Sequence, residues 1–473
     1  SAIIPVLCEY EGSIICLDPK GENAFHTASR RGFGTSDLKG SLGQDVYILD
    51  PYDESGAPQE YLASFDPLAG LHPTEPTTKE RVTLIAEALV VRGDEKDAHF
   101  NDSAQNFIEA LILHVLSWAT FEGRRSLGMV YELLTQGALE DHAIVTEALE
   151  AEGADVRDWT PFDTLLRMMK LNDAFDGSVA AGGHSLSSLG DRELGSVLST
   201  ARRNLKFLDS REMRAVLSSS DHALDLGLLK RSSHGVSVYI VLPARLMGSH
   251  FRWMRLILNL SIAQLERDKS PPETGQPVLA ILDEFAALGH MPILETAIGY
   301  MAGFGLKIWA ILQDLPQLQR HYAKGWETFL GNAGLIQAFG NADITTLEYI
   351  SKRLGQIEVL REVNNVNTTR TETTTELSDF EKLQRTENKG PFGRMRLGNE
   401  TETKGSSTAT TEALSRSLQV SNLMTADEVR LHFSRESKRQ MILLSGHYPI
   451  FLARCDYYDD PHFAGKFTPS KDR

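Results

Sequence analysis

The chain has 473 residues, 41% of them hydrophobic and 24% charged, with 48 basic against 64 acidic side chains and a net charge of −16. This length suggests about three domains or one large domain with an insertion, and the acidic balance excludes a generally basic coat for nucleic acid while leaving room for a local basic channel. Three scattered cysteines, Cys8, Cys16 and Cys455, exclude a disulfide scaffold and fit a reducing compartment, and neither a signal peptide nor an apolar run of membrane-spanning length is present.

Ser13 to Leu17 and Val46 to Leu49 are short, continuous apolar runs closed by polar loops, the pattern of buried parallel strands. Helical periodicity then takes over. It covers Arg81 to Val91, Ala104 to Trp118, shorter stretches at 128–134, 143–149 and 161–171, and Ser196 to Leu208. Strand-like runs are absent there, so residues 78–225 read as an all-α insertion of ordinary domain size. Strands return at Val236 to Leu242, followed by an amphipathic helix from about Phe251 to Glu266. Runs at Val278 to Leu282 and Leu306 to Leu312 flank a helix over 293–301. A short strand at 335–339 and a helix over 345–354, ended by Gly355, come next. Alternating strands and helices predict an α/β fold with a parallel sheet, built from residues 1–77 and 226–473 around the helical insertion. Residues 363–420 are poor in apolar side chains and rich in Thr, Ser, Glu and Asn, which predicts a flexible loop. A helix near 425–433 and strands at 441–444 and 450–454 close the chain.

The strongest chemical signal is Leu279-Ala280-Ile281-Leu282-Asp283-Glu284-Phe285. An apolar strand here delivers two carboxylates to its C-terminal end, where open α/β sheets bind ligands. Asp283 at that place suits Mg²⁺ held through water, and Glu284 suits polarising an attacking water, the Walker B arrangement of nucleotide-hydrolysing motors. The plain alternative is a helix whose first turn favours acids. Gln313, beyond the neighbouring strand, is placed to sense a γ-phosphate or merely to cap the strand end. Asp18 and Lys20 in Asp18-Pro19-Lys20-Gly21-Glu22 stand after another strand, where Lys20 suits a phosphate or a carboxylate; good turn chemistry explains them equally. Arg202 and Arg203, on one helix of the all-α region, are candidate contacts to DNA phosphates. Arg30-Arg31, Arg124-Arg125 and Lys230-Arg231 are further basic pairs, each more simply a solvated face. Arg252, Arg255 and Lys307 leave the choice of an arginine finger, or an equivalent cation, open. No His-Glu-x-x-His and no cysteine cluster points to zinc.

Taken together, Ile15 to Asn23, Tyr47 to Tyr52, Phe65 to Leu68, Val238 to Pro243, Leu282 to Gly289, Ala302 to Lys307, Gln313, Tyr322 to Asn332, Leu423-Met424, Pro449-Ile450 and Tyr457-Tyr458 resemble type IV secretion coupling proteins, the conjugative DNA-transfer ATPases. The resemblance runs in order along nearly the whole chain. It implies a RecA-like nucleotide-binding domain interrupted by an all-α domain, ATP and Mg²⁺ as ligands, and a homo-hexameric ring. It also implies single-stranded DNA, relaxosome proteins and secretion-channel components as partners, and the cytoplasmic face of the bacterial inner membrane as location. The family's Gly-x-x-x-x-Gly-Lys-Ser/Thr phosphate loop has no counterpart here; Gly465-Lys466 is followed by Phe467 and lacks the earlier glycine. The loop and the family's membrane helices precede the segment matching residues 1–7, so a truncated N-terminus explains both gaps. The 473 residues alone are then expected to hydrolyse ATP poorly or not at all. A non-hydrolysing docking subunit and an ATPase for protein effectors are the alternatives.

Overall fold

The computed structural model describes residues 2–91, 98–374 and 404–470. The first elements are α1 (Ile3–Glu9), β1 (Ile14–Asp18), α2 (Glu22–Arg31) and β2 (Asp45–Leu49). A helical run follows: α3 (Thr78–Leu89), α4 (Ala98–Ser117), α5 (Leu127–Gln136), α6 (Leu139–Ala151), α7 (Pro161–Lys170), α8 (Ala174–Ser187), α9 (Asp191–Leu205), α10 (Arg211–Val216) and α11 (Leu228–Arg231). The chain then alternates through β3 (Val236–Val241), α12 (Met247–Arg267), β4 (Val278–Leu282), α13 (Pro292–Tyr300) and β5 (Leu306–Ala310). It goes on through α14 (Leu315–His321), α15 (Trp326–Asn332), β6 (Leu335–Ala338) and α16 (Ile344–Leu354). It closes with β7 (Gln356–Thr374), β8 (Lys404–Asn422), α17 (Ala426–His432), β9 (Arg439–Leu444) and β10 (Ile450–Ala453).

Five strands form one parallel sheet in the order β2-β3-β1-β4-β5. Every residue of β1 and β3 is buried, which explains their unbroken apolar runs. Alternate side chains serve opposite faces. Ile14 and Cys16 pack with Ile3 and Leu7 of α1 and Ala24 and Ala28 of α2. Ile15 and Leu17 instead share a core with Val82, Phe107, Leu111 and Trp253. The helical run leaves after β2 and returns into its sheet neighbour β3, and no strand forms among the described residues of 78–225. Local caps start several of these helices. Ser126 accepts from the Met129 amide, and Thr160 with Asp163 makes a capping box ahead of Pro161.

The chain divides into two compact units, Ser1–Thr346 with Phe433–Arg473, and Leu347–His432. The helical insertion therefore belongs to the same unit as the sheet. That unit also holds the antiparallel sheet β10-β9-β6. The second unit corrects the expectation of a flexible loop over 363–420. β7 and β8 pair antiparallel without a break from Gln356 with Asn422 to Thr374 with Lys404. The low apolar content was misleading because Thr and Val are β-branched and suit a ribbon whose backbone bonds are met across the strands. The middle of the expected loop, 375–403, lies outside the described residues. No described helix is long and apolar enough to cross a membrane.

Candidate functional site

Register brings the two acidic strand ends together. Leu17 pairs with Leu282, so the next residues, Asp18 on β1 and Asp283 beyond β4, finish side by side at the C-terminal edge of the sheet. β1 turns there into α2 through Gly21, which has φ +70° and occupies the N-cap position. A Cβ on Gly21 would stand 2.5 Å from the Ser55 Cα, so the close approach of the two loops admits only glycine. Glycine has no side-chain oxygen to cap the helix. Asp18 supplies one instead: its carboxylate accepts from the Ala24 amide at 2.8 Å and from the Asn23 side chain at 3.4 Å.

Asp18 is 1% exposed. Burial pushes its pKa up to about 7, against the pull of the Ala24 and Asn23 amides, and the charges of Asp283 and Glu22 raise it further. Asp283 is half-buried, and its pKa is raised by the same cause. A hydrogen bond from Asn23 and the charge of Lys20 oppose that rise, while Glu284 and Glu22 add to it. Asn23 thus touches both carboxyl groups. The arrangement concentrates acidic groups in a dry place, which favours a bound cation.

Glu284 has φ 71° and ψ 53°, a left-handed backbone unusual outside glycine. The strained residue is held from both sides. The Ile311 amide donates to Leu282 O, and the Phe285 amide donates to Ile311 O, each at 3.1 Å. Gln313, three residues beyond β5, donates from Nε2 to Glu284 Oε2 at 3.1 Å. Its own carbonyl accepts from Asn341, and Asp314 caps α14 by accepting from the Gln317 amide at 2.9 Å. Lys20 is exposed on the loop between β1 and α2.

No group of three or more His, Cys, Asp or Glu side chains able to hold a metal occurs among the described residues. Asn23 and Glu22 were not singled out as site residues from the sequence. The signal for Asn23 is its place five residues after Asp18, in the first turn of the helix that follows the strand.

The basic residues stand apart from this cluster. Arg202 and Arg203 are both exposed, and Arg202 donates from Nε to Leu134 O at 3.2 Å, serving the last turn of α5. Arg31 and Lys230 are not a solvated face: both are buried, and Lys230 Nζ donates to Leu265 O at 2.8 Å. Arg255 is also buried and bound to main-chain carbonyls, which removes it as a finger reaching outward.

The raised Asp18 pKa has a measurable consequence. The unfolded chain gives up this proton near pH 4 and the folded chain near pH 7, so Asp18 costs stability increasingly as pH rises through that window, by a few kcal/mol at its upper end. Asp18→Asn keeps an oxygen for the Ala24 amide and carries no charge. Its melting temperature is expected to exceed that of the wild type at pH 8 and to converge with it near pH 4. A difference independent of pH would show that Asp18 is not the titrating group.

Residues 1–386 match the family described as Type IV secretory system Conjugative DNA transfer. The chain is 28% identical over 355 residues to Protein VirD4 of Rhizobium rhizogenes, covering 75% of this chain and 47% of that one. It is 27% identical over 372 residues to Conjugal transfer protein TraG of Escherichia coli, covering 76% and 53%. It thus spans about half the length of these curated relatives. In fold it is similar to the bacterial conjugative coupling protein TrwBdeltaN70, unbound, with TM-score 0.58, 13% identity, and coverage of 94% of this chain and 78% of that one. It is similar also to plasmid coupling protein TrwB in complex with ADP and Mg²⁺, with TM-score 0.56, 13% identity, and coverage of 93% and 78%.

Proposed function

The chain belongs to the type IV secretion coupling proteins of conjugative DNA transfer, and on that premise we propose that its gene product drives DNA into the secretion channel by hydrolysing ATP at the strand-end cluster. The observation that carries this reading is the Gln313–Glu284 hydrogen bond beside Asp283, at the edge where parallel sheets bind ligands. The solved ADP and Mg²⁺ complex of TrwB supports the choice of ligand.

Bound Mg²⁺ would neutralise charge on the phosphates. Asp283 would hold it through water, aided by the negative charge that Glu284 and Glu22 place around it. Glu284 accepts a proton from the attacking water, and Gln313 fixes the carboxylate that does so. Asp18 and Asn23 hold the loop carrying Lys20, the candidate for a phosphate contact. The Gly-x-x-x-x-Gly-Lys-Ser/Thr motif does not occur in these 473 residues, and the tests use the whole gene product. Its partners are single-stranded DNA, relaxosome proteins and channel components. It works as a homo-hexamer at the cytoplasmic face of the inner membrane.

Arg202 and Arg203 are the exposed candidates for a DNA phosphate. Binding of a single-stranded oligonucleotide is expected to weaken steeply with salt, and Arg203→Ala to reduce that salt slope by about one. Binding that ignores both salt and Arg203, with a protein effector bound instead, would favour the effector-transporting alternative.

A further inference from the structure

Helix α12 carries two arginines one turn apart that are tied to different parts of the molecule. Arg252 donates from Nε to Asn204 Oδ1 at 3.0 Å, and Asn204, 1% exposed, sits near the end of α9 and is itself anchored to Thr200 O at 3.0 Å. Arg203, a candidate DNA contact, is the adjacent residue. Arg255 is 3% exposed and donates from Nη1 to Leu288 O at 2.8 Å and His290 O at 2.7 Å. These carbonyls flank Gly289, whose φ of +66° turns the chain directly after the short helix Phe285–Leu288 that follows Glu284. The far side of the same turn is fastened by the Met291 amide, which donates to the Tyr322 hydroxyl at 3.2 Å, with the Tyr322 ring stacked on Phe285.

We propose that Arg252 and Arg255 are positioning residues that join the cargo-facing helix α9 to the turn carrying the acidic pair, so that a displacement of α9 by bound DNA shifts Glu284. The inference rests on the ATPase reading above. The connection is short and stiff. Asn204 and Arg252 share one hydrogen bond, Arg252 and Arg255 share one helical turn, and Arg255 holds two main-chain carbonyls, of which that of Leu288 is buried and would be left unpaired by an apolar side chain. Trp253, fully buried between the two arginines, locks the helix into the core. Burial lowers both guanidiniums to about 10, and the charge of Arg203 contributes at Arg252, which places Arg203 close to the junction. A phosphate arriving at Arg203 would relieve that repulsion at the point where α9 meets α12.

The test uses the whole gene product with Mg²⁺, ATP and a single-stranded oligonucleotide. Asn204→Ala is expected to keep DNA-free turnover within about twofold of the wild type and to lose most of the stimulation by DNA. Arg255→Met is expected to lower kcat about tenfold with or without DNA at unchanged KM for ATP, and Arg255→Lys to recover part of it. Full stimulation in Asn204→Ala, or an equal loss of stimulated and unstimulated turnover, overturns the proposal. A wild type that turns over ATP but ignores DNA, or does not turn it over, counts against the function proposed above instead. Hydrogen exchange then decides the link by itself. In the chain of 473 residues, Asn204→Ala is expected to speed exchange of the Phe285, Ala287, Gly289 and Met291 amides as well as amides of α9, whereas acceleration confined to α9 overturns it.

Discussion

Arg31→Met is expected to destabilise the protein by about 3–5 kcal/mol, the range for removing one partner from a buried charged network. Arg31 is fully buried, and its hydrogen bonds among the described residues go to no carboxylate. Its guanidinium is instead spent on five hydrogen bonds: to Ser237 Oγ at 2.6 Å, Leu7 O at 2.7 Å, Tyr10 O at 2.8 Å, Gly12 O at 2.9 Å and Gln44 Oε1 at 2.7 Å. These partners come from α1, the turn into β1, the approach to β2, and β3. One side chain therefore closes the N-terminal edge of the sheet, opposite the candidate site. Methionine fills similar volume but abandons three carbonyls, two of them buried, and two side-chain oxygens, each of which loses a strong donor. Urea unfolding of both proteins measures the difference. A change below about 1 kcal/mol would mean that water replaces the guanidinium at little cost.

Glu284→Gln is expected to reduce ATP turnover by the gene product about a hundredfold or more while leaving nucleotide affinity within about threefold, because it removes proton acceptance and little else. The amide keeps the shape of the carboxylate, and Asp283 remains to meet the cation. The left-handed backbone at Glu284 is unchanged, since the Phe285 to Ile311 hydrogen bond that holds it is main chain to main chain. Gln313→Ala should fall short of this effect, because Gln313 orients Glu284 through one side-chain bond and does not itself take the proton. Rates and nucleotide affinities measured on the three proteins separate the roles. Equal losses from both variants would make the hydrogen bond, and not the proton, the essential feature.

The strands were legible because a buried parallel sheet demands continuous apolar runs, and Val278 to Leu282 reads the same in sequence and structure. Asp283 and Glu284 were legible for the same reason, as charges standing where such a run stops. The contact of Asp18 with Asp283 was not, because adjacency depends on strand order, and β1 and β4 are separated by more than 250 residues. Arg31 read as half of a basic surface pair, since a guanidinium buried among carbonyls leaves no pattern in composition. Helix α8, with its Ala-Gly-Gly sequence, escaped for a related reason: Gly182 and Gly183 lower helix propensity, yet they let α8 approach Ala110 and Met169 closely. The β7–β8 ribbon escaped because hydrophobic periodicity marks strands that bury a face, and its Leu360, Val366, Leu418 and Val420 are exposed.

The central claim, that the acidic strand end powers DNA transfer, is tested most directly by phosphate release from ATP by the whole gene product, with and without Mg²⁺ and with and without single-stranded DNA. The account predicts turnover that requires Mg²⁺, rises with DNA, and loses that rise as salt increases. Absence of turnover under all of these conditions, with DNA or relaxosome proteins still bound, would contradict it and leave a docking subunit in its place.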